Sequence, residues 1–159
     1  QRRDRSSKSL SLDALRPGAS VPGIQLYSLQ TGMTTEERAL QAAGLHVQEF
    51  GPDFDVKHGS FMDTAAVIAN LNLVITVDTA VAHLAGALGV LVWVLLPRLP
   101  DWRWMLVSKT TPWYPTMRLF RQSVMFEWEG SIAAIANALA GRLRSEPDPR
   151  ATSPRQGAR

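Results

Sequence analysis

The run Leu73-Val74-Ile75-Thr76-Val77-Asp78-Thr79-Ala80-Val81-Ala82-His83-Leu84-Ala85-Gly86-Ala87-Leu88-Gly89 decides the fold. Residues 73–77 are short, apolar and β-branched, which is the pattern of a parallel strand covered on both faces. Asp78 and Thr79 are residue types that start helices. Residues 80–88 are Ala, Val, Leu and Gly with a single polar side chain, His83, and Gly89 is a helix stop. A strand running directly into a helix predicts an open α/β sheet, where ligands sit outside the carboxyl ends of the strands. The free N–H groups of a helix start attract anions. The run therefore predicts an anion site at Thr79, Ala80 and Val81.

Outward from this unit, strands and helices alternate. Strands are expected over 23–29, 45–50, 91–96 and 117–120. Helices are expected from Thr34 to Gly44, from Asp63 as cap through Leu71, and from Ser131 as cap through about Leu143. One turn is expected at Leu12–Leu15 and a short helix near Trp102–Leu106. Alternation of this kind predicts an α/β fold: a Rossmann-like parallel sheet with helices on both faces. Residues 1–11 read as a flexible basic segment, 12–144 as the folded domain and 145–159 as a disordered tail rich in Pro, Arg, Ser and Gly. All candidate ligand residues then fall on one rim of the sheet: Gln30, the 51–59 loop, Asp78 to His83 and the 97–116 loop.

Composition limits the alternatives. The chain has 159 residues, enough for one domain, and 45% are hydrophobic, enough for a core. No apolar run approaches the roughly 20 residues of a membrane helix, so the chain is not expected to be transmembrane. It contains no cysteine, which removes disulfides and thiolate metal sites and makes a cytoplasmic location the default. The net charge of +3 comes from the ends: residues 1–10 and 142–159 each carry +3, and the middle carries −3. A nucleic-acid-binding domain concentrates positive charge on its folded body, so no nucleic acid is expected as a partner.

Several side chains carry chemistry, and each also has a structural reading. Thr79 is either an ordinary cap or the first residue of the anion site. His83 follows it by four residues on the same helix face, and helical side chains lean toward the N-terminus. It can donate to a bound anion, or it is a core histidine bonded to a carbonyl. Asp78 repels a phosphate and is suited to backbone N–H groups or a sugar hydroxyl. The loop Pro97-Arg98-Leu99-Pro100-Asp101-Trp102-Arg103-Trp104, with Trp113-Tyr114-Pro115 beyond it, offers aromatic faces and guanidinium forks. Those suit sugar or base stacking and phosphate pairing, or a loop pinned over the sheet by its tryptophans. Asp53, Asp55, Lys57 and His58 lack metal-ligand spacing, and no metal is expected there.

These residues resemble one family. Val77 through Gly89, Val92-Trp93-Val94-Leu95-Leu96-Pro97, Asp101-Trp102-Arg103-Trp104 and the stretch from Pro112 through Gln122 closely resemble bacterial tetratricopeptide-repeat proteins that end in a glycosyltransferase-like domain. Asp63-Thr64-Ala65-Ala66 and Ser28-Leu29-Gln30 add weaker support, and the likeness covers roughly residues 4–141. That domain is similar to family 9 glycosyltransferases, the heptosyltransferases, and more distantly to O-linked N-acetylglucosamine transferases. The resemblance implies the C-terminal, donor-binding half of a GT-B fold with its first strand missing. It implies inverting, metal-independent transfer from a nucleotide-diphosphate sugar to a protein or glycan acceptor, with no further cofactor. It places the catalytic base in the N-terminal domain. It also maps the segment that grips the donor diphosphate onto Asp78, Thr79, Ala80 and His83. With the helix-start reading added, the N–H groups of Thr79, Ala80 and Val81 are expected to hold the diphosphate and His83 to stabilise the leaving group. Gln30, Arg98, Trp102 and Arg103, and also Arg5, are the expected helpers. Ala80 stands where heptosyltransferases have Gly, Val90-Leu91 where relatives have a basic residue and Pro, and Val107-Ser108-Lys109-Thr110 where they have an acidic stretch. Those departures fit a second expectation, a degenerate, non-catalytic binding or scaffold module of a repeat protein. A generic Rossmann-like nucleotide binder is the third.

Overall fold

The computed structural model describes residues 23–30, 32, 41, 44 and 46–145. The expected turn at Leu12–Leu15, the helix from Thr34, the basic segment 1–11 with Arg5, and the tail beyond Ser145 lie outside the described residues. The elements are β1 (Leu26–Tyr27), β2 (Val47–Gln48), α1 (Met62–Ile68), β3 (Val74–Val77), α2 (Ala80–Ala87), β4 (Val92–Leu96), a 3₁₀ turn (Trp102–Trp104), β5 (Met117–Arg121) and α3 (Glu129–Ser145).

The fold is α/β, with all described strand pairs parallel and helices on both faces of the main sheet, a Rossmann-like arrangement. One point differs from expectation. The described strands form two sheets, β1-β2 and β3-β4-β5. β1 and β2 are two residues each, where longer strands over 23–29 and 45–50 in one sheet were expected. Tyr27 and Gln48 face solvent, and a single bond from Ser28 N–H to Gln48 C=O (2.9 Å) extends the ladder. Strands this short close on each other and add nothing to β3.

β4 holds the structure together. All five of its residues are buried, as a strand covered on both faces requires. Val92, Val94 and Leu96 face a core built with Ile68 of α1, Ala82 and Ala85 of α2, and Trp104. Trp93 and Leu95 face the other core, with Phe120 of β5 and Ile132 and Ile135 of α3. The outer edge of β5 is not left bare: Leu119 N–H donates to Lys109 C=O (2.8 Å), and Thr110 bridges Arg118 antiparallel. Covering an edge in this way removes a template for unwanted pairing.

α2 follows from its residues. Ala82, Ala85 and Gly86 form an i, i+3, i+4 stripe of small buried side chains, which lets the helix lie close on the sheet. At its end Gly89 takes φ +73°. Gly89 N–H donates to Gly86 C=O and Val90 N–H to Ala85 C=O, the paired bonds of a Schellman stop.

Three expected caps are made differently. Thr79 is in the cap position with extended backbone, yet its side chain caps nothing; Oγ1 lies 3.2 Å from Thr76 Oγ1 and 3.4 Å from Val77 C=O. Asp63 is inside the first turn of α1 rather than before it, and Asp55 caps that helix from across the loop. Asp55 Oδ1 accepts from the N–H groups of Asp63 (2.9 Å) and Thr64 (3.0 Å), while Asp63 Oδ2 accepts from Asp55 N–H (2.8 Å). Ser131 lies within the first turn of α3, which starts two residues earlier, and its buried hydroxyl has no partner among the described residues. A capping side chain needs the helix to start just after it, and both helices start earlier than their cap-type residues suggest.

Candidate functional site

The site is built at the carboxyl ends of β3 and β4. Val77 ends β3, Asp78 and Thr79 make the turn, and α2 begins at Ala80. Thr79 and Ala80 are exposed and Val81 is half-buried. No side chain caps the first turn, so its N–H groups carry the partial positive charge of the helix start toward solvent.

His83 sits one turn into α2. Its ring stacks on Trp104, with centroids 5.2 Å apart and planes at 25°. Its Nδ1 lies 3.2 Å from the Tyr114 hydroxyl, and its Nε2 lies 4.0 Å from Asp78 Oδ1. The ring is thus held on its face and on one nitrogen, while its other edge looks toward the β3–α2 turn. Of the two readings open from the sequence, His83 bonds to a side chain and not to a carbonyl.

The aromatic loop separates its two tryptophans. A 3₁₀ helix advances about 120° per residue, so Trp102 and Trp104 point to different sides. Trp104 is fully buried, while Trp102 is 74% exposed. Asp101 caps this turn by accepting from Arg103 N–H (3.1 Å), and the Arg103 guanidinium lies over the Trp102 ring. Trp113 donates its indole N–H to Arg103 C=O (3.1 Å). From β5, Arg121 donates to the carbonyls of Trp104 and Ser108 and ties the loop down. Burial lowers the Arg121 pKa, but a guanidinium so placed stays charged.

These contacts leave a cleft of about 310 Å³ lined by His83, Trp102, Arg103, Trp113 and Tyr114. Three expected site residues, His83, Trp102 and Arg103, therefore converge. Asp78 joins them through His83, and Thr79, Ala80 and Val81 lie one turn away without lining the cleft. Two expected helpers are elsewhere. Gln30 is exposed at the end of β1, with its N–H toward Ser28 Oγ, and does not line the cleft. Arg98 points to the β5–α3 connection, where its guanidinium donates to Ser123 C=O and its N–H to Gln122 Oε1 (3.3 Å). Trp113 and Tyr114, offered by the sequence as aromatic faces on the 97–116 loop, also line the cleft; what the sequence did not offer is the contact between Tyr114 and His83.

The 51–59 loop plays a structural part. Lys57 pairs with Asp53 at 2.6 Å, His58 Nδ1 lies 3.0 Å from Asp63, and Asp55 braces α1. Desolvation raises the Asp55 pKa, but hydrogen bonds from Thr64 Oγ1 and from the backbone of Thr64, Asp63 and Phe61 together hold it below 3.8. Among the described residues no group of three or more His, Asp or Glu side chains is placed to hold a metal ion. No helix among them is long and apolar enough to cross a membrane.

No protein-family model matches the chain, and no solved structure matches it. Protein FlbA of Caulobacter vibrioides is 33% identical to it over 144 residues, which cover 83% of this chain and 24% of FlbA. The chain thus spans about a quarter of the length of the curated protein it is similar to.

Proposed function

We propose that this chain is the donor-binding domain of an inverting, metal-independent glycosyltransferase of GT-B architecture, working within a longer cytoplasmic protein that carries tetratricopeptide repeats. The donor is a nucleotide-diphosphate sugar and the acceptor a protein or glycan. The observation that supports this reading best is the cleft beside the α2 start, where His83, an uncapped helix terminus and two partly exposed tryptophans share one rim.

The parts have distinct tasks. N–H groups at Ala80 and Val81 face the diphosphate. His83 donates from Nε2 to the leaving phosphate, where negative charge grows as the glycosidic bond to the donor breaks. Arg103 adds a nearby positive charge, and the flat faces of Trp102 and Trp113 take the base or the sugar. Asp78, with Oδ1 4.0 Å from Nε2, orients the imidazole or accepts from a sugar hydroxyl.

Calorimetry of the full chain with UDP, GDP and ADP tests this. One of the three binds, and His83→Ala weakens it by about tenfold, as expected for a lost hydrogen bond to a charged group. Equal affinity in the variant removes His83 from the site, and absence of binding for all three overturns the reading. The second reading, a non-catalytic binding module, draws support from the exposed apolar side chains Leu99, Leu106 and Val107 of the 97–116 loop. It requires that the full-length protein transfers no sugar.

A further inference from the structure

We propose that Tyr114 is the positioning residue of this site, and that Gly86 is the residue that admits it. The proposal rests on the nucleotide-sugar reading of the same cleft. Tyr114 lies on the β5 side of the aromatic loop, 31 residues from His83 in sequence, and its hydroxyl meets His83 Nδ1 at 3.2 Å.

Its route to that nitrogen runs over α2. A Cβ added at Gly86 would lie 2.6 Å from Tyr114 Cγ, 2.8 Å from Cδ1 and 3.0 Å from Met117 Cε. No real side chain tolerates the first two distances. Glycine is the weakest ordinary helix former, and this one is buried within α2 without a positive φ, so backbone conformation does not call for it. The close passage of the Tyr114 ring does. Gly86 follows His83 by three residues, so both lie on one helix face and the ring spans from one to the other. The rings of Tyr114 and His83 meet edge to face at 61°, with centroids 5.8 Å apart.

The arrangement selects one form of the imidazole. The Asp78 carboxylate lies 4.0 Å from Nε2 and favours a proton on that nitrogen. Nδ1 of the neutral ring is then an acceptor, and Tyr114 supplies the donor it needs. The opposite tautomer would set a bare lone pair against the carboxylate. With Trp104 behind the ring and Tyr114 on Nδ1, the Nε2–H bond is presented at the rim where the diphosphate binds. Tyr114 acts through His83 and need not touch the ligand with its hydroxyl.

The test is a double-mutant cycle read by calorimetry with UDP, GDP and ADP on the full chain. Tyr114→Phe keeps the ring over Gly86 and removes only the hydroxyl; the bound diphosphate is expected to lose about fivefold to tenfold in affinity. In the His83→Ala background the same change is expected to cost nothing further. Gly86→Ala is expected to displace the ring and reproduce the loss. Unchanged affinity in Tyr114→Phe, or an equal loss with and without His83, overturns the proposal. A ligand-free measurement separates it from the wider reading. Nitrogen-15 spectra of the neutral His83 ring are expected to show the proton on Nε2 and an Nδ1 signal that moves in Tyr114→Phe. A proton on Nδ1 overturns the positioning role even if nucleotides bind, whereas failure of all three nucleotides to bind alongside the expected spectra refutes the nucleotide reading alone.

Discussion

Two tryptophans two residues apart should respond to the same substitution in opposite ways. Trp104 has no exposed surface and packs with Ile68, Val94, Leu96 and Met117. A buried Trp removes about 200 Å² from water, worth about 5 kcal/mol at about 25 cal/mol per Å² as an upper bound. Large-to-small changes at such sites cost about 3–5 kcal/mol. Its indole Nε1 has no acceptor among the described residues, so truncation loses no hydrogen bond there and the lower half of that range is expected. Trp104→Ala should therefore destabilise the chain by about 3 kcal/mol. At about 2–4 °C per kcal/mol for a chain of this size, the melting temperature should fall by roughly 6–12 °C. Trp102, 74% exposed, should change stability by less than about 0.5 kcal/mol when replaced by Ala, while nucleotide affinity falls. Urea unfolding followed by far-ultraviolet circular dichroism supplies both stabilities. Equal losses in the two variants, or a loss below about 1 kcal/mol for Trp104→Ala, would refute the division of labour drawn from the 3₁₀ turn.

Asp55→Asn keeps the loop shape but removes the charge that accepts from α1. The folded-state pKa of Asp55 lies below 3.8, so its contribution is present above that value and lost as pH falls through the folded pKa. Melting temperatures taken between pH 2 and pH 6 should drop for the wild type below about pH 3.8, and the variant should start lower and fall less over the same acid range. Arg121→Lys should weaken the tether on the aromatic loop, because a single ammonium cannot serve the Trp104 and Ser108 carbonyls as a fork does. A loss of about 1–3 kcal/mol in urea unfolding is expected; an unchanged midpoint would show that the loop holds without it.

The β3–α2–β4 unit could be read from residues because its signals are local. Alternation of β-branched and small residues, and Gly89 at the stop, act within a few positions of one another. The site was half legible for the same reason. His83 and Asp78 share one short segment, and Trp102 and Arg103 share another. The contact of Tyr114 with His83 was hidden because the two lie 31 residues apart and the permission for the contact is an absent Cβ at Gly86. The cap of α1 was misread because Asp55 reaches it from eight residues upstream, beyond the spacing of an ordinary cap. Gln30 and Arg98 were placed at the rim by topology alone. The Arg98 side chain follows a nearer carbonyl, that of Ser123, and Gln30 is exposed with its backbone N–H toward Ser28 Oγ, neither of which topology encodes.

β4 is a wall common to two rooms. Val92, Val94 and Leu96 furnish one and Trp93 and Leu95 the other, with no residue left over for solvent. Opening either side would bare half of a strand whose alternate residues still hold the opposite side shut. The two faces therefore stand or fall as a pair, and a change in α3, which does not line the cleft beside His83, reaches it only through this strand.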